Sequence, residues 1–362
     1  MIFDSIELRD HEQVVFCSDK TTGLKGIIAV HNTTLGPALG GLRMWPYTSD
    51  DEAIDDVLRL SHGMTYKAAI AGLNLGGGKA VIIGDPRTMK SEAFFRSFGR
   101  FVEGLGGRYI TAEDVGTSVR DMEWIRQETK FVTGIRSRGG SGDPSPFTAY
   151  GVYHGMKAAA KHVYGSDSLH GKRVAVQGAG NVAGFLIDHL IKEGAQVVVT
   201  DIYDDKVKRI TDKHREVQVV EPDEIYDVQC DVFSPAALGG SVNDSTIDRI
   251  KAKIVAGAAN NQLKDELRHA QGLKERGILY VPDYVINAGG LINVYVELEG
   301  YSEQRALHMA EGIYSIVENI INRADEEDVL TVVASKRLAE QRISTIGRIH
   351  SRYVGETRRH EF

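Results

Sequence analysis

The second half of the sequence alternates short apolar runs with helical segments. The apolar runs are typical of buried strands and cover residues 173–177, 196–200, 231–234, 253–256 and 278–282. Helical patterns lie between most of them, the first over residues 182–193. Strands that alternate with helices form a parallel sheet with helices on both faces, since each helix carries the chain back to the edge where the next strand starts. The sequence therefore predicts an α/β fold with a doubly wound, Rossmann-type domain.

A segment rich in glycine and proline, residues 138–146, separates this region from the first part of the chain. With 362 residues the chain exceeds one ordinary core and fits two domains. The first part also mixes strands, at residues 26–30 and 80–83, with helices, and helical patterns at 303–324 and 331–348 close the chain. We predict an N-terminal α/β domain over residues 1–140, a Rossmann domain over 141–328 and a C-terminal helix over 329–362 that packs back on the first domain.

Charge and apolar patterning exclude several classes of protein. Acidic residues outnumber basic ones by 50 to 43, and the basic residues are scattered, which argues against a nucleic-acid partner. No apolar stretch approaches the roughly 20 residues of a membrane span, and the first residues lack the apolar core of a secretory leader. The two cysteines, Cys17 and Cys230, show no metal-ligand or redox spacing and suit a reducing compartment. We therefore expect a cytoplasmic protein with no metal site and no membrane partner.

The strand at residues 173–177 runs into a glycine-rich turn and then a helix. Gly178 permits a tight turn, and Gly180 lets backbone amides approach a pyrophosphate at the helix N-terminus. Asp201 ends the next strand roughly 20 residues further on, where a carboxylate binds the adenosine ribose, and the acidic residues after it oppose a 2′-phosphate. Such turns also join strands to helices without a ligand, but this context favours NAD. The predicted cofactor-binding residues here are Gly178, Ala179, Gly180, Asn181, Val182 and Asp201.

The first domain holds Lys79 directly after three glycines, with Lys67 and Asp114 in the same domain. Consecutive glycines are costly in chain entropy, so they are expected where the backbone must come close to another group. A lysine there, partly desolvated beside a second lysine, would give up its proton more readily and could act as a base. The alternative is a mobile loop with a solvated lysine, and these residues alone do not decide between the two.

Five longer motifs resemble the Glu/Leu/Phe/Val dehydrogenase family, most closely its leucine dehydrogenases. They are residues 34–44, 72–79, 111–117, 257–262 and 282–290, in the family's order and spread over nearly the whole chain. The resemblance implies that Lys67 binds the substrate carboxylate and that Lys79 is the general base that activates water against an iminium intermediate. It implies that Asp114 relays protons and steadies the amino group, and that Asn261 positions the substrate.

The resemblance also implies the reaction and the remaining partners. Thr148 and Asn260 would lie near the nicotinamide end of NAD. The reaction would be the reversible oxidative deamination of an L-amino acid to a 2-oxo acid and ammonium, with domain closure at the Gly/Pro segment excluding water. The family resemblance implies a homo-oligomer, with an octamer or a dimer as the alternatives.

Substitutions within the motifs indicate an apolar substrate side chain. In glutamate dehydrogenases a lysine holds the substrate's side-chain carboxylate where Leu39 stands here, and Val294 stands where the family has a serine. Burying a carboxylate without these partners would be costly, so glutamate is disfavoured. Leucine, valine or isoleucine leads, and phenylalanine or another aromatic amino acid is the alternative, because Leu291 and Tyr295 depart from the usual leucine dehydrogenase pattern. The predicted pocket comprises Leu39, Gly40, Ala112, Leu291 and Val294, for which ordinary core packing is the competing interpretation.

Two rival functions stay open. A non-catalytic NAD-binding sensor would need no proton base, so Lys67, Lys79 and Asp114 argue against it. A glutamate dehydrogenase would turn over glutamate faster than leucine.

Overall fold

The computed structural model describes residues 9–135 and 140–350. The first eight residues, on which the expected lack of a leader rests, and residues 136–139 of the Gly/Pro segment lie outside this range. The chain forms two compact units. Unit 1 comprises the chain up to Asp143 together with Val294–Ser302 and the part from Ala339 onward, and unit 2 comprises Pro144–Asn293 and Glu303–Leu338.

Unit 1 is built on a five-stranded mixed sheet. Its strands are β1 (Gln13–Asp19), β2 (Leu24–Asn32), β3 (Ala38–Trp45), β4 (Gly76–Ile83) and β5 (Tyr109–Glu113), in the order β1-β2-β4-β3-β5. Strand β3 is parallel to both β4 and β5, whereas β2 is antiparallel to β1 and β4. Within residues 9–135, three helices accompany the sheet: α1 (Asp50–Ile70), α2 (Glu92–Gly104) and α3 (Val119–Arg126).

Helix α1 forms where the sequence places a cap and an apolar stripe. The Ser49 hydroxyl accepts a hydrogen bond from the Glu52 amide, which satisfies one of the amides that a helix N-terminus leaves unpaired. Ile54, Val57 and Leu58 recur at helical spacing and are buried against the sheet. The helix therefore lies along β4, with its last turns beside the three glycines.

The three glycines belong to strand β4 and not to a loop, so the loop interpretation is wrong. A Cβ atom at Gly77 would lie 2.0 Å from the Thr65 hydroxyl of α1, and one at Gly78 would lie 2.7 Å from the ring of Tyr109 on the other face. Helix and tyrosine thus pack directly against the strand backbone on opposite faces. Lys79, the next residue of the strand, is only 5% exposed.

Unit 2 is the doubly wound domain, and the predicted fold class is confirmed. Its six strands are all parallel and follow the order β11-β10-β9-β6-β7-β8. They are β6 (Arg173–Gln177), β7 (Gln196–Thr200), β8 (Gln218–Val219), β9 (Val232–Pro235), β10 (Ile254–Val255) and β11 (Leu279–Tyr280). The first five helices of this part of the chain are α4 (Ser145–Tyr164), α5 (Asn181–Glu193), α6 (Asp204–Lys213), α7 (Glu266–Glu275) and α8 (Asp283–Ile286).

The remaining helices are α9 (Gly289–Leu298), α10 (Glu303–Glu311), α11 (Ile313–Glu326) and α12 (Thr331–His350). The single helix expected over residues 303–324 is divided, because Gly312 ends one helix and caps the next. Helix α4 starts three residues earlier than Thr148, with Pro146 in the first turn, where a missing amide proton costs nothing.

The C-terminal part of α12 completes unit 1. Ala339 is fully buried with Leu35 and Ala69, and Ile343 and Ile346 pack against them. The Arg342 guanidinium donates hydrogen bonds to the carbonyl oxygens of Leu73, at 2.7 Å, and Gly72, at 3.1 Å. This helix therefore holds the loop that leads into the glycine strand. Within residues 9–135 and 140–350, no helix has the length and apolar composition needed to cross a membrane.

Three histidines pack in a row beside the end of α1. The rings of His11 and His31 lie 4.8 Å apart, centroid to centroid, and those of His31 and His62 lie 4.7 Å apart. His31 bonds the Thr65 hydroxyl at 2.7 Å, and His11 bonds the Ser61 hydroxyl at 2.8 Å. Burial, reinforced by the neighbouring histidines, lowers the pKa of both His11 and His31 to about 4. Both rings are therefore neutral in the folded protein at neutral pH.

This row predicts a loss of stability on mild acidification. The unfolded chain protonates these histidines near pH 6.5, but the folded chain does so only near pH 4. Their contribution is therefore complete above pH 6.5 and is lost as the pH falls toward 4. We expect the free energy of unfolding in urea to fall between pH 7 and pH 5, and His31→Gln to remove up to about 1.4 kcal/mol per pH unit of that slope. The exposed His308 gives the control His308→Gln, and equal slopes in both variants would contradict the assignment.

Candidate active site

The predicted base and proton relay, Lys79 and Asp114, lie in contact on the unit 1 sheet. Lys79 lies in β4, Asp114 directly follows β5, and β3 runs between those two strands. The Lys79 Nζ lies 3.0 Å from Asp114 Oδ2, with 6% of the lysine side chain and 24% of the aspartate side chain exposed. An ammonium and a carboxylate at this distance can exchange a proton directly.

Asp114 is held in its ionised form. Burial alone raises the pKa of this carboxyl, but the Lys79 ammonium and the Arg43 guanidinium outweigh burial and hold the pKa below its usual range. The Asp114 amide donates to the Thr117 hydroxyl at 3.0 Å, and that hydroxyl donates to the Leu42 carbonyl of β3 at 2.9 Å. The turn that carries the carboxylate is thus tied to the central strand.

Arg43 is a part of this site that the sequence reasoning missed. It lies in β3, donates from Nε to Asp114 Oδ2 at 3.1 Å and donates from Nη1 to Asp56 Oδ2 at 3.0 Å. Arg43 stands inside the motif of residues 34–44, so its position in that motif was the available signal. Asp56 gave no signal, because it lies on the polar face of a helix where carboxylates are common.

Of the residues predicted to line the substrate pocket, Leu39, Gly40, Ala112 and Val294 belong to unit 1 and Leu291 belongs to unit 2. Leu39 and Gly40 of β3 pair with Ile110 and Thr111 of β5, and the next pair is Gly41 with Ala112. A Cβ atom at Gly40 would lie 1.7 Å from the Gly78 carbonyl oxygen, so glycine is needed for β3 to approach β4 there. Lys67 lies half-buried in the last turn of α1. Leu39, Ala112, Leu291 and Val294 are all buried apolar residues.

The glycine-rich turn of unit 2 follows β6 and leads into α5. Gly178 follows β6 with φ +117°, and a Cβ atom there would lie 2.9 Å from the Ala236 backbone. Gly180 caps α5 and has open space where a side chain would be. Asp201 lies beside the turn, because its Oδ2 accepts a hydrogen bond from the Ala179 amide at 2.8 Å. Backbone amides, open space and a carboxylate therefore meet where a dinucleotide would bind.

The segment of residues 257–262 is an ordered loop with one strained residue. Asn261 adopts φ +52°, and its carbonyl accepts a 2.7 Å hydrogen bond from the Gly240 amide. The side chain of Asn287, which the sequence reasoning assigned no role, donates to Asn260 Oδ1 at 2.6 Å and fixes that amide. In the same unit Thr148 lies in α4 beside Gly290, where a Cβ atom would lie 2.7 Å from the threonine hydroxyl.

Known proteins resemble this chain over both units. Residues 11–131 match the family described as Glu/Leu/Phe/Val dehydrogenase, dimerisation domain, and residues 139–348 match Glutamate/Leucine/Phenylalanine/Valine dehydrogenase. The chain is 58% identical to the leucine dehydrogenase of Bacillus cereus over 354 residues, which cover 98% of this chain and 96% of that protein. It is 51% identical to the phenylalanine dehydrogenase of Lysinibacillus sphaericus, covering 93% of this chain and 90% of that one. The crystal structure of L-tryptophan dehydrogenase from Nostoc punctiforme matches with a TM-score of 0.84 at 46% identity and covers 96% of this chain and 99% of that chain.

The left-handed backbone of Asn261 gives a prediction about stability. At φ +52° the backbone of an alanine is strained and that of a glycine is not. The Asn261→Ala variant should therefore be about 1 kcal/mol less stable than Asn261→Gly. Gln271, exposed in the middle of α7, provides the matched pair, and there alanine should be the more stable residue by a similar amount. Urea unfolding of the four variants measures both differences. The same order of alanine and glycine at the two positions would contradict a strained loop.

Proposed function

Because the chain belongs to the Glu/Leu/Phe/Val dehydrogenase family, we propose that it is an NAD-dependent dehydrogenase of apolar L-amino acids. Its substrate would be leucine, valine or isoleucine, converted reversibly to the 2-oxo acid and ammonium. The observation that carries the proposal is the buried contact of Lys79 with Asp114, since a sensor would need no such proton-transfer pair. The identity of 58% to a leucine dehydrogenase, against 51% to a phenylalanine dehydrogenase and 46% to a tryptophan dehydrogenase, favours branched-chain over aromatic substrates.

In this proposal the chain's own residues move protons at the substrate. The chemistry that bound NAD would supply is acceptance of the hydride from the substrate Cα, and the amino group, once it has lost its extra proton, would become an iminium. Lys67 would hold the substrate carboxylate by its charge, and Asn261 would help to position the substrate. Lys79, having passed its extra proton through Asp114 to solvent, would take a proton from the water that adds to the iminium carbon. The same lysine would then return that proton to the nitrogen. As the carbon–nitrogen bond breaks, Lys79 would take the proton of the new hydroxyl group, so that ammonia leaves and the 2-oxo acid remains.

The turn after β6 fits the dinucleotide. The amides of Gly180, Asn181 and Val182 would face the pyrophosphate at the start of α5, where the open space beside Gly180 supports close approach. Ala179, whose amide bonds Asp201, would link the turn to the ribose-binding carboxylate. Asp201 would bind the adenosine ribose, and Thr148 and Asn260 would lie at the nicotinamide end. The acidic residues Asp204 and Asp205, in the first turn of α6, support NAD over NADP because they would repel a 2′-phosphate.

The pocket composition supports an apolar substrate. Leu39, Ala112, Leu291 and Val294 offer no partner for a side-chain carboxylate, and leaving such a charge unpaired would cost several kcal/mol. Glutamate is therefore the weaker candidate.

The proposal also includes a homo-oligomer, octameric or dimeric, in the cytoplasm. The description of residues 11–131 as a dimerisation domain supports self-association.

A substrate panel tests the function directly. Purified protein with NAD and single L-amino acids should form NADH fastest with leucine, valine or isoleucine, more slowly with phenylalanine and least with glutamate. The reverse direction, with 2-oxo acids and ammonium, should show the same order. Faster turnover of glutamate would establish a glutamate dehydrogenase, and no NADH with any amino acid would support the sensor.

Replacement of the predicted base tests the mechanism. Lys79→Ala should lower kcat by about 10²- to 10⁴-fold, because no other group would take the proton from water. The NAD dissociation constant should stay nearly unchanged. Lys90 offers a matched control, since it forms a 2.5 Å ion pair with the buried Asp121 in the same unit. Lys90→Ala should lose stability but keep kcat, and substantial residual activity in Lys79→Ala would rule out the assigned base.

A further inference from the structure

Two cations bind the same oxygen of Asp114. The Lys79 ammonium lies 3.0 Å from Oδ2, and Nε of Arg43 lies 3.1 Å from that oxygen. Among the described residues, no side chain donates a hydrogen bond to the other oxygen, Oδ1. The two contacts therefore fix the rotation of the carboxylate and leave one oxygen for a further donor.

A second carboxylate holds Arg43 from the other side. Asp56, on α1, accepts from Arg43 Nη1 at 3.0 Å and from the Tyr47 hydroxyl at 2.7 Å on its Oδ2. Its Oδ1 accepts from Arg59 at 2.7 Å. The Asp56 side chain is 14% exposed and the Asp114 side chain is 24% exposed, so Asp56 is the more buried of the two carboxylates that Arg43 binds. Arg43 is thus anchored at both ends of its guanidinium group.

The geometry requires an arginine. A guanidinium is planar and presents donors in fixed directions, so one side chain can bind two carboxylates at once without losing its orientation. A lysine ammonium is a single point on a flexible stem and would bind one carboxylate or the other. Lys79 and Arg43 carry two positive charges beside the single negative charge of Asp114. Asp56 supplies the second negative charge that balances them.

The charge of Arg43 acts on Asp114 in the same direction as that of Lys79. Both favour the ionised carboxylate against the effect of burial. When Lys79 changes its own protonation state during turnover, Arg43 keeps a permanent positive charge beside Asp114, because a guanidinium does not lose its proton at any relevant pH. Asp114 therefore stays a proton acceptor with a fixed orientation throughout.

We propose that Arg43, anchored by Asp56, is a positioning residue that keeps Asp114 charged and directs its Oδ1 toward the amino group of the substrate. The inference rests on the proposed function for the identity of that substrate. Arg43 would act through Asp114 and would touch neither substrate nor cofactor.

The test compares Arg43→Gln, Arg43→Lys and the control Arg59→Gln. Arg59 binds the same Asp56, but its side chain is 46% exposed and bonds Asp56 on the oxygen that Arg43 does not use. In Arg43→Gln we expect kcat with leucine to fall about 10- to 100-fold. The acidic limb of the kcat/KM profile should move up by about one pH unit, because Asp114 then holds its proton to higher pH. Arg43→Lys keeps the positive charge, so the acidic limb should stay at the same pH, but kcat should fall because the ammonium cannot bind both carboxylates. Arg59→Gln should match the parent both in kcat and in the pH of the acidic limb.

Two further measurements separate this role from a merely structural one. In an Asp114→Asn background, Arg43→Gln should cause no further loss of kcat, because its effect runs through that carboxylate. Infrared difference spectra recorded over a pH series, with Asp114→Asn as the reference, should show Asp114 protonating at higher pH in Arg43→Gln than in the parent.

An unchanged acidic limb with an unchanged Asp114 titration in Arg43→Gln overturns the inference, as does an equal loss of kcat in the Asp114→Asn background. If Arg43→Gln does not fold, unaltered kcat in Arg43→Lys overturns it. A parent that forms no NADH with any amino acid refutes the proposed function instead, and the infrared titration of Asp114 then decides the role of Arg43 without turnover.

Discussion

The contact of helix α1 and Tyr109 with the bare backbone of strand β4 is the constraint on which unit 1 depends. Thr65 occupies the space beside Gly77 on one face, and the Tyr109 ring occupies the space beside Gly78 on the other. The Tyr109 hydroxyl donates to the Gly40 carbonyl at 2.6 Å, which ties β3 to the same arrangement. Because no side chain separates these layers, Lys79 emerges from a rigid strand, and its distance to Asp114 is set by the sheet and not by a mobile loop.

The parts of the fold that local pattern determines could be predicted from the sequence. Strands β6 and β7 have the predicted bounds, because an apolar run between turn residues has one stable outcome in a parallel sheet. The glycine strand could not be recognised from its own residues, since glycine has no strand preference and its reason for being there is the helix that packs on it. Gly312 divides a helix whose apolar periodicity runs on through it, which periodicity alone does not reveal.

The candidate site divides in the same way. Lys79 and Asp114 were found through motifs, and the structure adds the 3.0 Å contact between them. The contacts of Arg43 with Asp56 and Asp114 join residues 13 and 71 positions apart in the chain, so that only the folded sheet brings them together. Residues that act by holding another side chain have no recognisable sequence pattern of their own. The roles of Asp56 and Asn287 could therefore not be predicted from the sequence.

The position of helix α12 has a consequence for how the protein is made. Most of unit 1 precedes unit 2 in the sequence, yet Arg342, Ile343 and Ile346 belong to its packing and to the loop before the glycine strand. Unit 2, by contrast, ends at Leu338, so its sheet can form before α12 is complete. Unit 1 is therefore completed by residues synthesised after unit 2, and until then Leu35 and Ala69 lack the helix that covers them.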